Sequence, residues 1–356
     1  MPHASSPSAA STLLRRLRIA RDYASGAPLA GPGPEALLIE TTVRCNLRCP
    51  MCPRTGGGYG ATDMPDEILW PLLEEHAALG GDHVYLYGLG EPLLDDRIFD
   101  VIARARALGL TTILSTNGTL LDEDRRRRLL DSGLHHLIAS LDAATADTYD
   151  RFRPGGDFDR TVARVRALAA EKAARKLPMI MVVQFVRVAG NLEEQDLFRQ
   201  QWEGTPGIDR VRLKDEDIGL PEHALYEADG WRRQNRCHLL WRGPLVARYD
   251  GRVYACYNFA GQAVPIGDLH DRSLADLWAS PALQQLRRQH AEGHLDPTSI
   301  CGRCPAPRPR LPYIIGAVML GGERSRALIP IAERLALKLP RLLQETRRPA
   351  EHTDST

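Results

Sequence analysis

The sequence predicts an α/β protein built from βαβ units on a parallel sheet, followed by a smaller α+β segment. Two observations carry this. From residue 36 to residue 214, short runs rich in aliphatic and β-branched residues alternate with amphipathic helical stretches. Beyond them, Pro244-Leu245-Val246-Ala247-Arg248-Tyr249-Asp250-Gly251-Arg252-Val253-Tyr254-Ala255 reads as a β-hairpin turning at Asp250-Gly251. Taken alone, the alternation fits a partial barrel and a doubly wound sheet equally well.

The elements follow in order. Residues 1–10, rich in Ser, Ala and Pro, read as disordered. Ser11 to Ser25 reads as a short basic helix with Leu13, Leu14, Leu17 and Tyr23 on one packing face, closed by Gly26. Gly26 to Pro34 is a Gly/Pro linker, so residues 1–35 form an N-terminal arm. The expected strands are Ala36–Thr42, His83–Tyr87, Thr111–Ser115, His135–Ser140, Met179–Val186 and Arg210–Lys214. Between them the periodicity predicts helices at Asp66–Leu79, Arg97–Leu108, Glu123–Ser132, Phe158–Lys176 and Leu192–Trp202. These units occupy residues 36–220, the hairpin segment residues 221–310, and a tail residues 311–356. In the tail, Ala327 to Leu343 gives an amphipathic basic helix interrupted by Pro330 and Pro340. It is expected to cap the sheet; a peripheral membrane contact is the other reading, since Lys/Arg beside Leu/Ile faces suit a lipid surface.

Composition narrows the class. Of 356 residues, 43% are hydrophobic and 26% charged, enough for a substantial core, and the net charge of +1 gives no reason to expect nucleic acid. The N-terminal arginines are followed by no signal-like apolar run, and no stretch approaches the ~20 apolar residues of a membrane span. Seven cysteines in two clusters are too few and too grouped for a disulfide scaffold. A reducing, cytoplasmic setting is expected.

Three of these cysteines stand in Thr41-Thr42-Val43-Arg44-Cys45-Asn46-Leu47-Arg48-Cys49-Pro50-Met51-Cys52-Pro53, directly after the first strand. Their C-x3-C-x2-C spacing turns three thiolates toward one point, and soft sulfur ligands suit zinc or an iron-sulfur cluster. A closed zinc site has four ligands, and no His lies nearby to complete one; three ligands on a four-iron cluster leave one iron open. At these residues the chain resembles the radical S-adenosylmethionine (SAM) superfamily. It departs from the pattern at Met51, where relatives often have an aromatic residue.

The resemblance implies a six-unit partial β/α barrel for residues 36–220, with Cys45, Cys49 and Cys52 on a SAM-binding 4Fe-4S cluster. Later segments extend it. Gly88-Leu89-Gly90-Glu91-Pro92 resembles the segment that holds the SAM amino group, which assigns Gly90, Glu91 and Pro92 to SAM. Ser115 and Asn117, in Ser-Thr-Asn-Gly after the third strand, resemble residues near SAM. Ser140 and Asp142, at the end of the fourth, resemble residues facing its ribose, and Arg153 is the candidate for its carboxylate. Read without the resemblance, these are ordinary Gly-Pro and Asn-Gly turns and helix caps.

The remaining cysteines are Cys237, Cys256, Cys301 and Cys304. The hairpin brings Cys237 and Cys256 together, and Cys301-Gly302-Arg303-Cys304 is a C-x2-C; by spacing, four-cysteine zinc stays open. The segment resembles the auxiliary-cluster domain of SPASM and Twitch radical SAM enzymes, down to Ile266-Gly267-Asp268-Leu269 and the helix Ser273–Trp278. A full SPASM set of seven cysteines is absent, so the resemblance implies one auxiliary 4Fe-4S cluster in a Twitch-like arrangement. Three plus four ligands use every cysteine, which leaves no thiol as a hydrogen-atom donor.

The resulting expectation is an oxidoreductase-type enzyme that cleaves SAM reductively to a 5'-deoxyadenosyl radical and abstracts a substrate hydrogen. A one-electron reductant such as flavodoxin or ferredoxin would feed it. The favoured substrate is a small carbohydrate-like molecule, dehydrogenated with the auxiliary cluster as electron acceptor. Lys214, Asp215, Glu216 and Asp217, after the sixth strand, are the candidate bases. The alternatives are modification of a ribosomally made peptide, disfavoured here because the 35-residue arm looks small for a peptide-binding domain, a lipid-linked substrate, and a zinc-binding protein without catalysis.

Overall fold

The computed structural model describes residues 9–215, 236–257 and 265–304. A helix α1 (Ala9–Ser25) precedes six strands, β1 (Ala36–Ile39), β2 (His83–Leu86), β3 (Thr111–Thr116), β4 (His136–Ser140), β5 (Ile180–Arg187) and β6 (Arg210–Asp215). Their connections carry α2 (Asp66–Ala78), α3 (Ile98–Ala107), α4 (Glu123–Asp131), α5 (Ala146–Phe152), α6 (Phe158–Ala174) and α7 (Gln195–Trp202). All six strands pair in parallel in sequence order. This is the expected partial β/α barrel.

The smaller α+β segment does not stand apart from that sheet. After α8 (Leu239–Arg242), β7 (Leu245–Ala247) pairs in parallel with β1, and β8 (Arg252–Tyr254) and β9 (Gly267–Asp268) continue antiparallel. One nine-stranded sheet results, in the order β6-β5-β4-β3-β2-β1-β7-β8-β9. Helices α9 (Leu274–Trp278), α10 (Pro281–Glu292) and α11 (Ile300–Arg303) complete the described chain. The predicted hairpin turn falls at Asp250-Gly251, with Gly251 at φ 81°, a left-handed conformation that favours glycine.

Strand side chains alternate between faces. Leu37, Ile39, Val84, Leu86, Leu114, Leu137, Met181, Val183 and Phe185 are buried together with the apolar stripes of α2, α3, α4, α6 and α7. Each fully buried side chain of this kind contributes about 1.5–3 kcal/mol, so this layer fixes strand register. The opposite, inner face carries Leu38, Tyr85, Ser115, Ser140 and Gln184. Among the described residues, the helices of the main core pack on the other face.

The N-terminal arm is laced to the small segment. Tyr23 packs edge-on against Trp241 at 5.5 Å, Trp241 Nε1 donates to Ala27 O, and Trp278 Nε1 donates to Ala30 O. The buried face of α1 is Ile19, Ala20 and Tyr23, whereas Leu13, Leu14 and Leu17 are 46%, 64% and 45% exposed. The leucine face expected from periodicity is therefore corrected: only the C-terminal half of α1 reaches the Trp241 layer. The amphipathic tail lies outside the described residues.

Candidate active site

The cysteine loop is pinned where β1 ends. Met64 N donates to Thr41 O, Val43 N to Thr62 O, and Arg54 Nε to Val43 O. Across the strand ends, Glu91 N donates to Arg44 O at 2.8 Å. That approach needs a glycine beside it, because a Cβ on Gly90 would stand 2.1 Å from Thr42 O.

Glu91 is 2% exposed, and its carboxylate accepts from Leu93 N, Thr116 Oγ1 and Asn117 N. Burial pushes its pKa up, against those hydrogen bonds and the pull of Arg153. The side chain assigned to the SAM ammonium thus clamps the β2 and β3 ends together. Asn117 in turn donates to Asn46 Oδ1 and accepts from Thr119, while Asn46 donates to Thr119 Oγ1. Asn46 and Thr119, absent from the sequence-based candidates, tie the cysteine loop to β3.

Asp142 follows β4 at φ 61°, a left-handed conformation that Asp tolerates better than most residues. Its Oδ1 accepts from Val186 N at 2.8 Å and its Oδ2 pairs with Arg153. Asn191 Nδ2 donates to Asp142 O and Val186 O, holding the turn. Both Asp142 oxygens therefore have protein donors. Ser140 accepts from Gln184 Nε2 at 3.0 Å on the inner face, where Ser115 is half-buried.

Cys49 is buried, and Cys45 and Cys52 are partly so, packed with Leu47, Met51, Phe152 and Val188. Met51, where relatives often have an aromatic residue, is buried in this apolar layer. Burial raises all three thiol pKa values, that of Cys49 to about 11; neighbouring thiols add to the rise at Cys49 and Cys52, and Glu91 adds to it at Cys45. Arg153 works against the rise at all three, and its buried Nε has no hydrogen-bond partner. Three converging thiols that need a cation to ionise, beside a guanidinium with an unfilled donor, fit a metal centre carrying anionic ligands.

The second group also converges. Cys237 precedes α8, Cys256 follows β8, Cys301 lies in α11 and Cys304 directly follows it. The thiol of Cys237 is pushed up by burial first and then by Cys256, Cys304 and Cys301. Among the described residues, no three of the seven sulfurs lie within 4.8 Å of one another, a spacing reached only by ligand atoms of Glu35, Asp82 and His83. Seven thiols in a group of three and a group of four are soft donors that suit zinc or iron-sulfur centres alike.

The two groups are joined through β7. Arg248 Nε lies 3.4 Å from Glu40, which is fully buried just after β1, and the guanidinium sits over the rings of Tyr59, Tyr249 and Tyr254. Beside the first group, a cleft of about 500 Å3 is lined by Cys45, Asn46, Arg48, Arg54, Pro154 and Gly155. Of the candidate bases, Lys214 and Asp215 end β6; Glu216 and Asp217 lie outside the described residues. Glu40, Arg248 and Gln184 went unnoticed in the sequence because nothing local marks them.

Residues 39–184 match the model of the radical SAM superfamily, and residues 237–305 match that of the SPASM iron-sulfur cluster-binding domain. The chain is 30% identical over 224 residues to the PqqA peptide cyclase of Xanthomonas euvesicatoria, covering 62% of this chain and 55% of that one. It is 33% identical over 138 residues to the AdoMet-dependent heme synthase of Methanosarcina barkeri, covering 38% and 39%. The chain thus spans about half the length, or less, of these curated relatives. The crystal structure of Streptococcus suis SuiB bound to precursor peptide SuiA superposes with a TM-score of 0.58 at 14% identity, covering 82% of this chain and 73% of that one. That likeness is one of fold. Among the described residues no helix is long and apolar enough to cross a membrane.

Proposed function

The chain belongs to the radical SAM superfamily and carries a SPASM-type domain, implying two 4Fe-4S clusters, and from that premise we propose that it modifies a peptide substrate by radical chemistry. The observation that carries the peptide reading is the match to a PqqA peptide cyclase over 62% of the chain. The carbohydrate-like substrate expected from the short N-terminal arm has no comparable support, and the peptide alternative replaces it.

In this reading Cys45, Cys49 and Cys52 hold the SAM-binding cluster, and Cys237, Cys256, Cys301 and Cys304 the auxiliary one. Bound there, cluster and SAM together supply reductive generation of a radical able to abstract hydrogen from an unactivated C–H bond. The chain's own part is positional. Gly90 lets the Gly-Glu-Pro backbone lie against the cysteine loop, and Glu91, Thr116, Asn117, Asn46 and Thr119 fix that contact. Arg153, anchored by Asp142, places a permanent positive charge beside the thiols. The apolar layer of Leu47, Met51, Phe152 and Val188 shields the buried Cys49 from water and packs against Cys45 and Cys52.

The test is an anaerobic assay of the reconstituted full chain with SAM, reductant and any short peptide encoded beside its gene. A mass change in the peptide accompanied by 5'-deoxyadenosine is expected. SAM cleavage that modifies a sugar or aminocyclitol while leaving every such peptide unchanged would overturn the reading.

A further inference from the structure

The inner face of the sheet has a chemical gradient. Ser115, Ile138, Val182 and Arg210 form one cross-strand row over β3–β6, and Ser140, Gln184 and Arg212 form the next over β4–β6. Their neighbours Val211 and Leu213 pack against the helix-covered core, so alternation turns Arg210 and Arg212 to the inner side. Both rows therefore begin at serines beside the candidate SAM site and end at a guanidinium.

Both arginines are exposed, and neither has a carboxylate partner among the described residues. Gln184, by contrast, is 9% exposed and bonded to Ser140. Two strand spacings of ~4.8 Å separate Ser140 from Arg212, so a ligand lying over Gln184 is within reach of the Arg212 side chain. Arginine presents a planar fork matched to carboxylates.

We propose that Arg210 and Arg212 form a carboxylate-reading wall of the substrate chamber, so that the peptide segment presented for modification carries an acidic side chain or a C-terminal carboxylate. This rests on the peptide reading above. The methionine carboxylate of SAM offers the same chemistry, and the test separates the two sources.

The probes are a fluorescein-labelled Gly/Ser peptide with two central Glu and the same peptide with Gln, titrated against reconstituted full-length protein by anisotropy. SAM affinity is measured in parallel by equilibrium dialysis. Wild type is expected to favour the acidic probe by roughly fivefold to tenfold at low salt. The double variant Arg210→Gln/Arg212→Gln is expected to lose that preference with SAM affinity unchanged; its circular dichroism reports that it still folds. Equal binding of both probes to wild type overturns the carboxylate wall and leaves the peptide reading standing. Binding of neither probe also overturns the carboxylate wall, while the peptide reading stands or falls on the modification assay above. A fall in SAM affinity in the double variant assigns the arginines to SAM and overturns the substrate proposal.

Discussion

Replacing Arg153 by Met tests whether the Asp142–Arg153 pair is a desolvated anchor of the site. The Asp142 side chain is fully buried and that of Arg153 is 10% exposed. Once Arg153 is gone, Oδ1 of Asp142 keeps Val186 N, but Oδ2 loses its donor and a carboxylate stays buried with no opposing cation in contact. Breaking a buried pair on one side costs roughly 3–5 kcal/mol. Loss of ~3 kcal/mol would lower the melting temperature of the reconstituted chain by about 5–10 °C. Adding Asp142→Asn removes the stranded charge, keeps an acceptor for Val186 N and suits the left-handed backbone at φ 61°. The double variant should therefore recover at least half of the loss, a coupling of about 1.5 kcal/mol or more. Thermal melts of wild type, both single variants and the double variant decide it. A loss below ~1 kcal/mol for Arg153→Met, or no recovery in the double variant, would refute the claim that the pair is desolvated and coupled.

Other outcomes follow from the same geometry. Gly90→Ala places a methyl 2.1 Å from Thr42 O, so the Gly-Glu-Pro segment must shift, and SAM affinity should fall about tenfold or more by equilibrium dialysis while far-UV circular dichroism is unchanged. His76 is fully buried, and burial lowers its pKa to about 4. Its contribution is present above the unfolded value of ~6.5 and is lost as pH falls toward 4; urea titrations should show up to ~3 kcal/mol less stability at pH 4.5 than at pH 7, with a shallower slope in His76→Gln. Burial alone would raise the Glu35 carboxyl, but Arg242, His83 and Arg15 together hold it below the usual carboxylate range. Arg242→Met strands that carboxylate, so stability at pH 7 should drop by about 3 kcal/mol and recover partly as acid neutralises it, the reverse of the wild-type trend for this group.

The six barrel strands were legible because each is an aliphatic run of strand length bounded by turn residues, and the sheet keeps them in sequence order. The end of β1 was not. Glu40 to Thr42 read as strand, yet the segment peels away to bridge Asp63 and carry the loop. Two helices left undrawn had usable local signals. Thr145 caps α5 by accepting from Thr148 N, and Ser280-Pro281 opens α10, which Gly293 closes in the left-handed conformation. The cysteine groups were legible because thiol spacing is a local pattern. The clamp of Glu91 on β3, the Asp142–Arg153 pair and the Glu40–Arg248 contact were not, since they join residues 25, 11 and 208 positions apart in sequence. Only the folded sheet brings the first and last of these together.

One sheet positions two cysteine groups, of three and of four, for two iron-sulfur centres. Iron and sulfide counted after anaerobic reconstitution test it most directly, comparing wild type with a variant in which Cys237, Cys256, Cys301 and Cys304 are all replaced by Ala. About eight irons per chain falling to about four is the predicted result. About four irons in both proteins, with zinc present in wild type and lost from the variant, would contradict it.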